Sequence, residues 1–334
     1  MSTAPASQQL LELAATGQPR PAIDFALGLL AAGHTVESLI TEVLAPTQQQ
    51  VGVLWELNEW STAQEHAATA VVDGILGAVG LQTVAPMTPH GRVLVACVEE
   101  EYHTLPARMG TERLRAAGWD VTFLGGSLPA EDLQRFAALS EPDIVVLSCT
   151  VPLFLPGAAR CIAAITDLGL PAVAAGGGFG STPARAARIG ASGWIGTEAH
   201  ASLLAVNPGP AGPVLETHPA AVALEVQGEE LSSACIAEMS VRIPQMSAYS
   251  PRQLAHTRAD LGYILRYLAL AIDMDERPIF DTFISWLSRV LNSRQVPAST
   301  LDRSLEILAD VLERAEFQVA AEICSSGCHA VPEA

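Results

Sequence analysis

Between residues 92 and 195, short apolar runs alternate with segments of helical spacing, and this alternation leaves few folds open. The runs fall at 92–98, 120–124, 143–149, 171–175 and 192–195. Each has the length of a strand, and each gap holds a helix long enough for a crossover, so the strands should lie parallel with right-handed connections. Five strands in about 115 residues fit an open flavodoxin-like (Rossmann-like) sheet, which binds ligands beyond the carboxyl ends of its strands. Function is therefore expected in the loops after residues 98, 148 and 175.

The flanks read differently. From residue 6 to about 84 the apolar residues recur at helical spacing, with breaks at Gly17–Pro21, Gly33–His34 and Asn58–Trp60. Four helices joined by short connections predict an antiparallel four-helix bundle. Ser61 and Gln64 have the spacing of a capping box, which puts Glu65 and His66 in the first turn of the last helix. Asn207–Pro219 reads as a linker into a region that is helical to the end. There Leu254, Leu261, Leu265, Leu268 and Ile272 form one stripe, and Ile279, Phe283, Trp286, Leu287 and Val290 another. The expected class is α/β plus all-α, with a bundle over 1–85, a sheet domain over 90–206 and a C-terminal helical domain over 217–334.

Composition narrows the partners. The chain has 18 basic residues, all arginine, against 36 acidic ones, and a net charge of -18. Such a surface repels phosphate backbones, so nucleic acid is not an expected partner. Met1–Leu10 lacks the pattern of a signal peptide, and no run of about 18 apolar residues suggests a membrane span. The expectation is a soluble cytoplasmic protein whose partner is a second copy of itself, a dimer in the simplest case, or a downstream signalling protein. The six cysteines are scattered and imply no disulfide framework.

The loop after the first run reads Glu99-Glu100-Glu101-Tyr102-His103, with a helix starting near Leu105. A histidine here projects from the ligand-binding edge of the sheet. Taken alone it is a common solvated loop residue. The other two edge loops change its weight: Ser148-Cys149-Thr150 and Gly176-Gly177-Gly178 are both small, as if making room for something bulky.

These loops resemble the cobalamin-binding domain shared by methionine synthase, B12-dependent mutases and light-sensing repressors of the CarH type. That family writes Asp/Glu-x-His-x-x-Gly, Ser-x-Leu/Thr and Gly-Gly; this chain has Glu101-x-His103, Ser148-x-Thr150 and Gly176-Gly177, with Pro106 at the family's glycine. The resemblance implies that His103 is the metal ligand, meeting cobalt from below. It also implies that Glu101 holds the second ring nitrogen and that Ser148 lines the channel for the displaced benzimidazole tail.

Nine residues separate Trp55 from Glu65-His66, and this Trp-x9-Glu-His pattern resembles the CarH-type photoreceptors. By that resemblance the cofactor is adenosylcobalamin, Trp55 covers its adenosyl group, and Glu65 and His66 contact that group or the corrin. Light breaks the cobalt–carbon bond, and the packing that depended on the adenosyl group is lost. Inverting a two-state equilibrium in this way takes about 5.5 kcal/mol, within reach of one buried aromatic and several hydrogen bonds. The CarH type has a histidine directly after its tryptophan that captures cobalt after light; here that position is Glu56. His66 or His34 could replace it, and the sequence does not choose.

The C-terminal region resembles the bilin-binding helices of photocobilins through His256-Thr257-Arg258-x-Asp260-Leu261-x-Tyr263-x-x-Arg266-Tyr267-Leu268 and Phe280-x-x-Phe283-x-x-Trp286-Leu287. A linear tetrapyrrole such as biliverdin needs a flat apolar slot and cations for its propionates. His256, Arg258, Asp260, Tyr263, Arg266, Tyr267 and Trp286 supply the right residue types. The sequence thus reads as a light sensor and regulator rather than an enzyme. The alternative is a corrinoid methyl carrier for a cobalamin-dependent methyltransferase, which has the same bundle, sheet and lower histidine. A mutase needs a barrel of about 250 residues for which there is no room.

Overall fold

Five strands, β1 (Arg92–Cys97), β2 (Asp120–Phe123), β3 (Ile144–Ser148), β4 (Ala172–Ala175) and β5 (Gly193–Ile195), pair in parallel in the order β2-β1-β3-β4-β5. That is the flavodoxin-like order, and each strand lies within a residue or two of its apolar run. All of β3, and all of β1 beyond its first residue, is buried. Both faces are covered by crossover helices, which explains why these strands read as continuous apolar runs rather than as alternation. The computed structural model describes residues 3–83, 88–196 and 217–327; the linker expected at Asn207–Pro219 lies mostly outside them. The chain divides into two compact units, the N-terminal helices with the sheet in one and the helices after residue 216 in the other.

In the first unit, α1 (Thr3–Ala15), α2 (Pro19–Ala31) and α5 (Thr62–Gln82) pack with a composite rod. The rod starts as α3 (Val36–Leu39), passes through a π turn at Ile40–Leu44 and continues as α4 (Ala45–Glu56). Two capping boxes set the starts: Thr35 with Ser38 for α3, and Ser61 with Gln64 for α5. The four rods share one core that includes Leu10, Leu39, Val43, Val72, Ile75 and Leu76.

Leu105 and Met109 of α6 (Thr104–Ala116) belong to that same core. The helix that begins right after His103 is therefore embedded in the bundle as well as in the sheet domain. Pro106 is the third residue of α6, where its missing N–H forfeits no intrahelical bond, so the helix accommodates it. Lower down, two glycines of α5 admit an ion-pair cluster from α6. Glu112 is fully buried between Arg108 (3.3 Å) and Arg115 (2.8 Å). A Cβ on Gly80 would lie 2.8 Å from Glu112 Oε2, and one on Gly77 would touch Arg108. Gly80→Ala is thus expected to destabilise the protein by about 1–3 kcal/mol through overpacking, read as a lower urea midpoint at unchanged slope. Arg113 adds a two-pronged pair with Glu37, at 2.7 and 2.6 Å, between the far end of α6 and α3.

The remaining crossover helices are α7 (Ala130–Ser140), α8 (Leu155–Thr166) and α9 (Ala184–Arg188). The second unit is made of α10 (Pro219–Arg242), α11 (Pro251–Asp273), α12 (Pro278–Ser293), α13 (Ala298–Arg314) and α14 (Gln318–Gly327). Ser250 and Gln253 form a capping box at the start of α11. Of the two expected stripes there, Leu261, Leu265, Leu268 and Ile272 are buried, as are Ile279, Phe283, Leu287 and Val290. Leu254 is exposed and Trp286 half-buried. Among the described residues no helix is long and apolar enough to cross a membrane.

Candidate functional site

The loop between β1 and α6 is organised by Glu101, which is fully buried although it lies among acidic neighbours. Its Oε1 accepts from the His103 backbone N–H at 2.8 Å and lies 2.6 Å from His103 Nδ1. Its Oε2 accepts from the backbone N–H groups of Thr150 (2.7 Å) and Val151 (3.2 Å). One carboxylate therefore ties the loop after β1 to the loop after β3 and fixes the imidazole between them. Burial pushes the Glu101 carboxyl up, but the hydrogen bonds from His103 and Thr150 and the charge of His103 outweigh it and hold the carboxyl below its ordinary range. The hydrogen bond to Glu101 raises His103 above the ordinary histidine value; partial burial opposes this, and the charges of Glu101 and Glu65 add to it. With Nδ1 engaged, His103 keeps Nε2 for a ligand, and its side chain is 58% exposed.

Neighbouring loops hold this arrangement in place. Glu99 accepts from the N–H of Ala130, the first residue of α7, at 2.6 Å and pairs with Arg160 of α8. Ser127 donates its N–H to the Glu101 carbonyl at 2.9 Å. Glu100 adopts φ 65°, the left-handed turn that aims the next residue inward.

The glycine loop is small for a reason other than the one expected from sequence. Gly176 has φ 101°, and a Cβ there would lie 2.4 Å from the carbonyl oxygen of Cys149; one on Gly178 would lie 2.7 Å from Cys149 Sγ. These two positions are glycine because the loop after β3 passes against them, so room for a ligand is not what requires them. Only Gly177 leaves ordinary space, with Thr150 O at 3.4 Å.

On the bundle side, Trp55 Nε1 donates to Thr62 Oγ1 at 3.2 Å, which joins the end of α4 to the first residue of α5. Glu65 and His66 follow on the next residues of that turn, with His66 Nε2 3.3 Å from Glu65 Oε2. Glu65 also accepts from Thr69 Oγ1 (2.9 Å), which in turn accepts from Gln48 Nε2 (2.7 Å). The structure thus brings Trp55, Glu65 and His66 together at one end of the bundle, and the charge of Glu65 reaches His103. Gln48 and Thr69 were not singled out from the sequence. Their signal was helical spacing: Gln48 is seven residues before Trp55, and Thr69 is four after Glu65.

Two observations are consistent with a corrin at these residues. First, Thr150 Oγ1, beside the Glu101 hub, and Gln48 Oε1, in the helical bundle, are buried without hydrogen-bond partners. Such groups are few in a native protein, and a bound ligand would complete them. Second, Ser148 is buried at the carboxyl end of β3, the end of the sheet where ligands bind in folds of this class.

In the second unit the predicted bilin residues differ in exposure and in partners. Tyr267 stacks on Phe283 with centroids 3.9 Å apart and planes 7° apart, so these rings fill the gap they were expected to wall. Arg258 turns to Glu229 (2.7 Å) and Ser233 (2.9 Å) of α10. His256 and Tyr263 are exposed, Arg266 and Trp286 half-buried. Burial pushes the Asp260 carboxyl up, with the charge of His256 opposing.

Residues 91–204 match a family model described as a B12 binding domain, and residues 6–79 match a second model with the same description. The bundle and sheet of this chain form a cobalamin-binding module. A curated relative, the HTH-type transcriptional repressor CarH of Myxococcus xanthus, is 41% identical over 107 residues, or 32% of this chain. The match spans only 35% of that relative's length. Among solved structures, the monomethylamine corrinoid protein of Methanosarcina barkeri superimposes with a TM-score of 0.52. It is 18% identical over 60% of this chain and 97% of its own, a likeness of fold.

Proposed function

We propose that this protein is a light sensor that holds adenosylcobalamin between bundle and sheet, with His103 as the lower cobalt ligand and a light-dependent change of quaternary structure or partner binding as its output. The observation that carries the reading is the placing of Trp55 and the Glu65-His66 pair at the junction of α4 and α5, with α6, which follows His103, in the same core. Bound adenosylcobalamin supplies a cobalt–carbon bond that light breaks. Glu101 keeps His103 in the tautomer with a free Nε2, and Thr150 and Val151 keep Glu101 in place. Trp55, anchored through Thr62, would shield the bound cofactor from water. Trp55 is in the last turn of α4 and Thr62 begins α5, and α6, rooted in the same core through Leu105 and Met109, would couple a change at that junction to the sheet domain. A corrinoid methyl carrier would share the lower half of this site and leave Trp55-x9-Glu65-His66 without a role.

We also propose that the second unit binds biliverdin, against the exposed faces of Tyr263 and Trp286 and beside His256 and Asp260, since Tyr267 and Phe283 are already occupied with each other. The test of both readings is one absorption experiment on the full chain reconstituted in the dark with adenosylcobalamin and biliverdin. A cobalamin spectrum that converts under green light to a stable, protein-specific product, beside a red bilin band, is expected. Conversion without a bilin band removes biliverdin alone. A cobalamin spectrum without a protein-specific photoproduct removes the light sensor and leaves the carrier.

A further inference from the structure

A left-handed backbone is strained at any residue but glycine, so the places where the chain adopts one are informative. Among the described residues, Asn58, Glu141, Asp275, Gln295 and Glu316 each stand within two residues of a helix end, where a left-handed turn is the ordinary way to stop. Glu100 and Ser127 are the others, and they close no helix. Glu100 (φ 65°) lies between β1 and α6, and Ser127 (φ 37°) lies between β2 and α7. These two are bonded to each other: the Glu100 backbone N–H donates to Ser127 Oγ at 3.0 Å.

Ser127 also grips the next residue, because its own N–H donates to the Glu101 carbonyl at 2.9 Å. The backbone torsions of Glu100 and Glu101 lie between these two bonds, so one residue of the loop after β2 sets the path of the chain through Glu101. That loop is itself held. Pairing with β1 continues past the end of β2, from Leu124 N–H to Val95 O (2.9 Å) and from Cys97 N–H to Gly125 O (3.0 Å). At Gly126 it runs so close to its neighbour that a Cβ would lie 2.9 Å from Thr104 Cγ2 and 3.4 Å from the Glu101 carbonyl oxygen. A strained turn persists only where its surroundings over-determine it, and such turns preorganise functional groups. Relaxing φ at Glu100 would swing the chain beyond it, and the first group displaced would be the carboxylate that holds His103, Thr150 and Val151.

We propose that Ser127 is a positioning residue for the candidate cobalt ligand, its hydroxyl holding Glu100 in the left-handed turn from which Glu101 reaches His103. The inference rests on the cobalamin reading of the site. It adds a third loop to that site, since the loop after β2 places the carboxylate that the loops after β1 and β3 share.

The test uses the full chain made with nitrogen-15 histidine, loaded with hydroxocobalamin and reduced in the dark to cobalt(II), whose paramagnetic resonance lines report the axial nitrogen. A labelled histidine splits each line in two, the cofactor's own unlabelled benzimidazole splits it in three, and no axial nitrogen leaves it single. The wild type should show pairs only. Ser127→Ala and Ser127→Gly both delete the hydroxyl, but only alanine keeps the backbone strain, so the glycine variant should unfold at the higher urea concentration of the two. Both should nevertheless show pairs mixed with triplets or single lines. Both should also bind cobalamin about tenfold more weakly, the lower end of the loss expected when a partner behind a metal ligand is removed. A purely structural role would make the spectrum follow stability and confine the change to alanine. Ser127→Gly with pairs only and unchanged affinity therefore overturns the inference alone. A wild type that shows triplets or single lines overturns the reading of His103 as the ligand, and the inference with it.

Discussion

Glu101→Ala is expected to lower stability by about 3–6 kcal/mol and to weaken cobalamin binding by about 10–100-fold. The stability loss comes from the donors left behind. The N–H groups of His103, Thr150 and Val151 all end on this one carboxylate, and each unsatisfied buried group costs about 1–3 kcal/mol. The affinity loss comes from the imidazole, which loses the partner that fixes its tautomer. Glu101→Gln should give a smaller loss, because one oxygen survives and the new NH2 faces donors. Urea unfolding of the apo protein and a cobalamin titration measure the two effects separately.

The same pair sets a pH dependence whose sign can be worked out. His103 is raised, so its contribution to apo stability is fully present below the ordinary histidine value and is lost as pH rises through the raised one. Glu101 is lowered, so its contribution is present above the ordinary glutamate value and is lost as pH falls through the lowered one. On the proposed ligation, cobalt needs the neutral imidazole of His103. Cobalamin affinity should therefore rise with pH through the neutral range, with release of a proton visible by calorimetry in buffers of different ionisation enthalpy. An affinity independent of pH there, in wild type and Glu101→Ala alike, would remove His103 as the ligand.

The second large effect is expected at Gly176. Gly176→Ala combines a backbone conformation that L residues rarely adopt, about 1–3 kcal/mol of strain, with a Cβ 2.4 Å from the Cys149 carbonyl oxygen. That oxygen belongs to backbone and cannot move alone. Relief requires displacing the loop after β3, which takes the Thr150 and Val151 N–H groups away from Glu101 and so disturbs His103. The total loss should be about 3–5 kcal/mol, with cobalamin binding falling alongside it. Gly177→Ala is the control. Its Cβ would make ordinary contact with Thr150 O and leave stability nearly unchanged, so a loss of cobalamin binding in that variant alone would mean the cofactor lies over Gly177. If both variants are as stable as the wild type, the close approach of the two loops is not what fixes the site.

The sheet was legible because its strands are buried on both faces and announce themselves as unbroken apolar runs, and parallel connections allow few orders. The capping box at Ser61 is local chemistry, fixed by residues three apart. The π turn at Ile40–Leu44 was not legible, since it shifts the phase of the helix by one residue without any glycine or proline inside it to mark the change. The stack of Tyr267 on Phe283 was not either. Two aromatics from different helices read equally well as the walls of a slot or as each other's filling, and only the distance between α11 and α12 decides.

The sequence by itself determined the sheet, the helical flanks and which loops reach the ligand edge, because periodicity and turn chemistry act over a few residues. It also set out Glu101, His103, Trp55, Glu65 and His66 as residues of interest. Only the tertiary structure decided that a single buried carboxylate joins two loops, that Gly176 and Gly178 answer to Cys149, and that Gln48 supports Glu65 through Thr69. These are contacts between segments far apart in the chain, and they follow from how α5 and α6 dock, which no local pattern encodes.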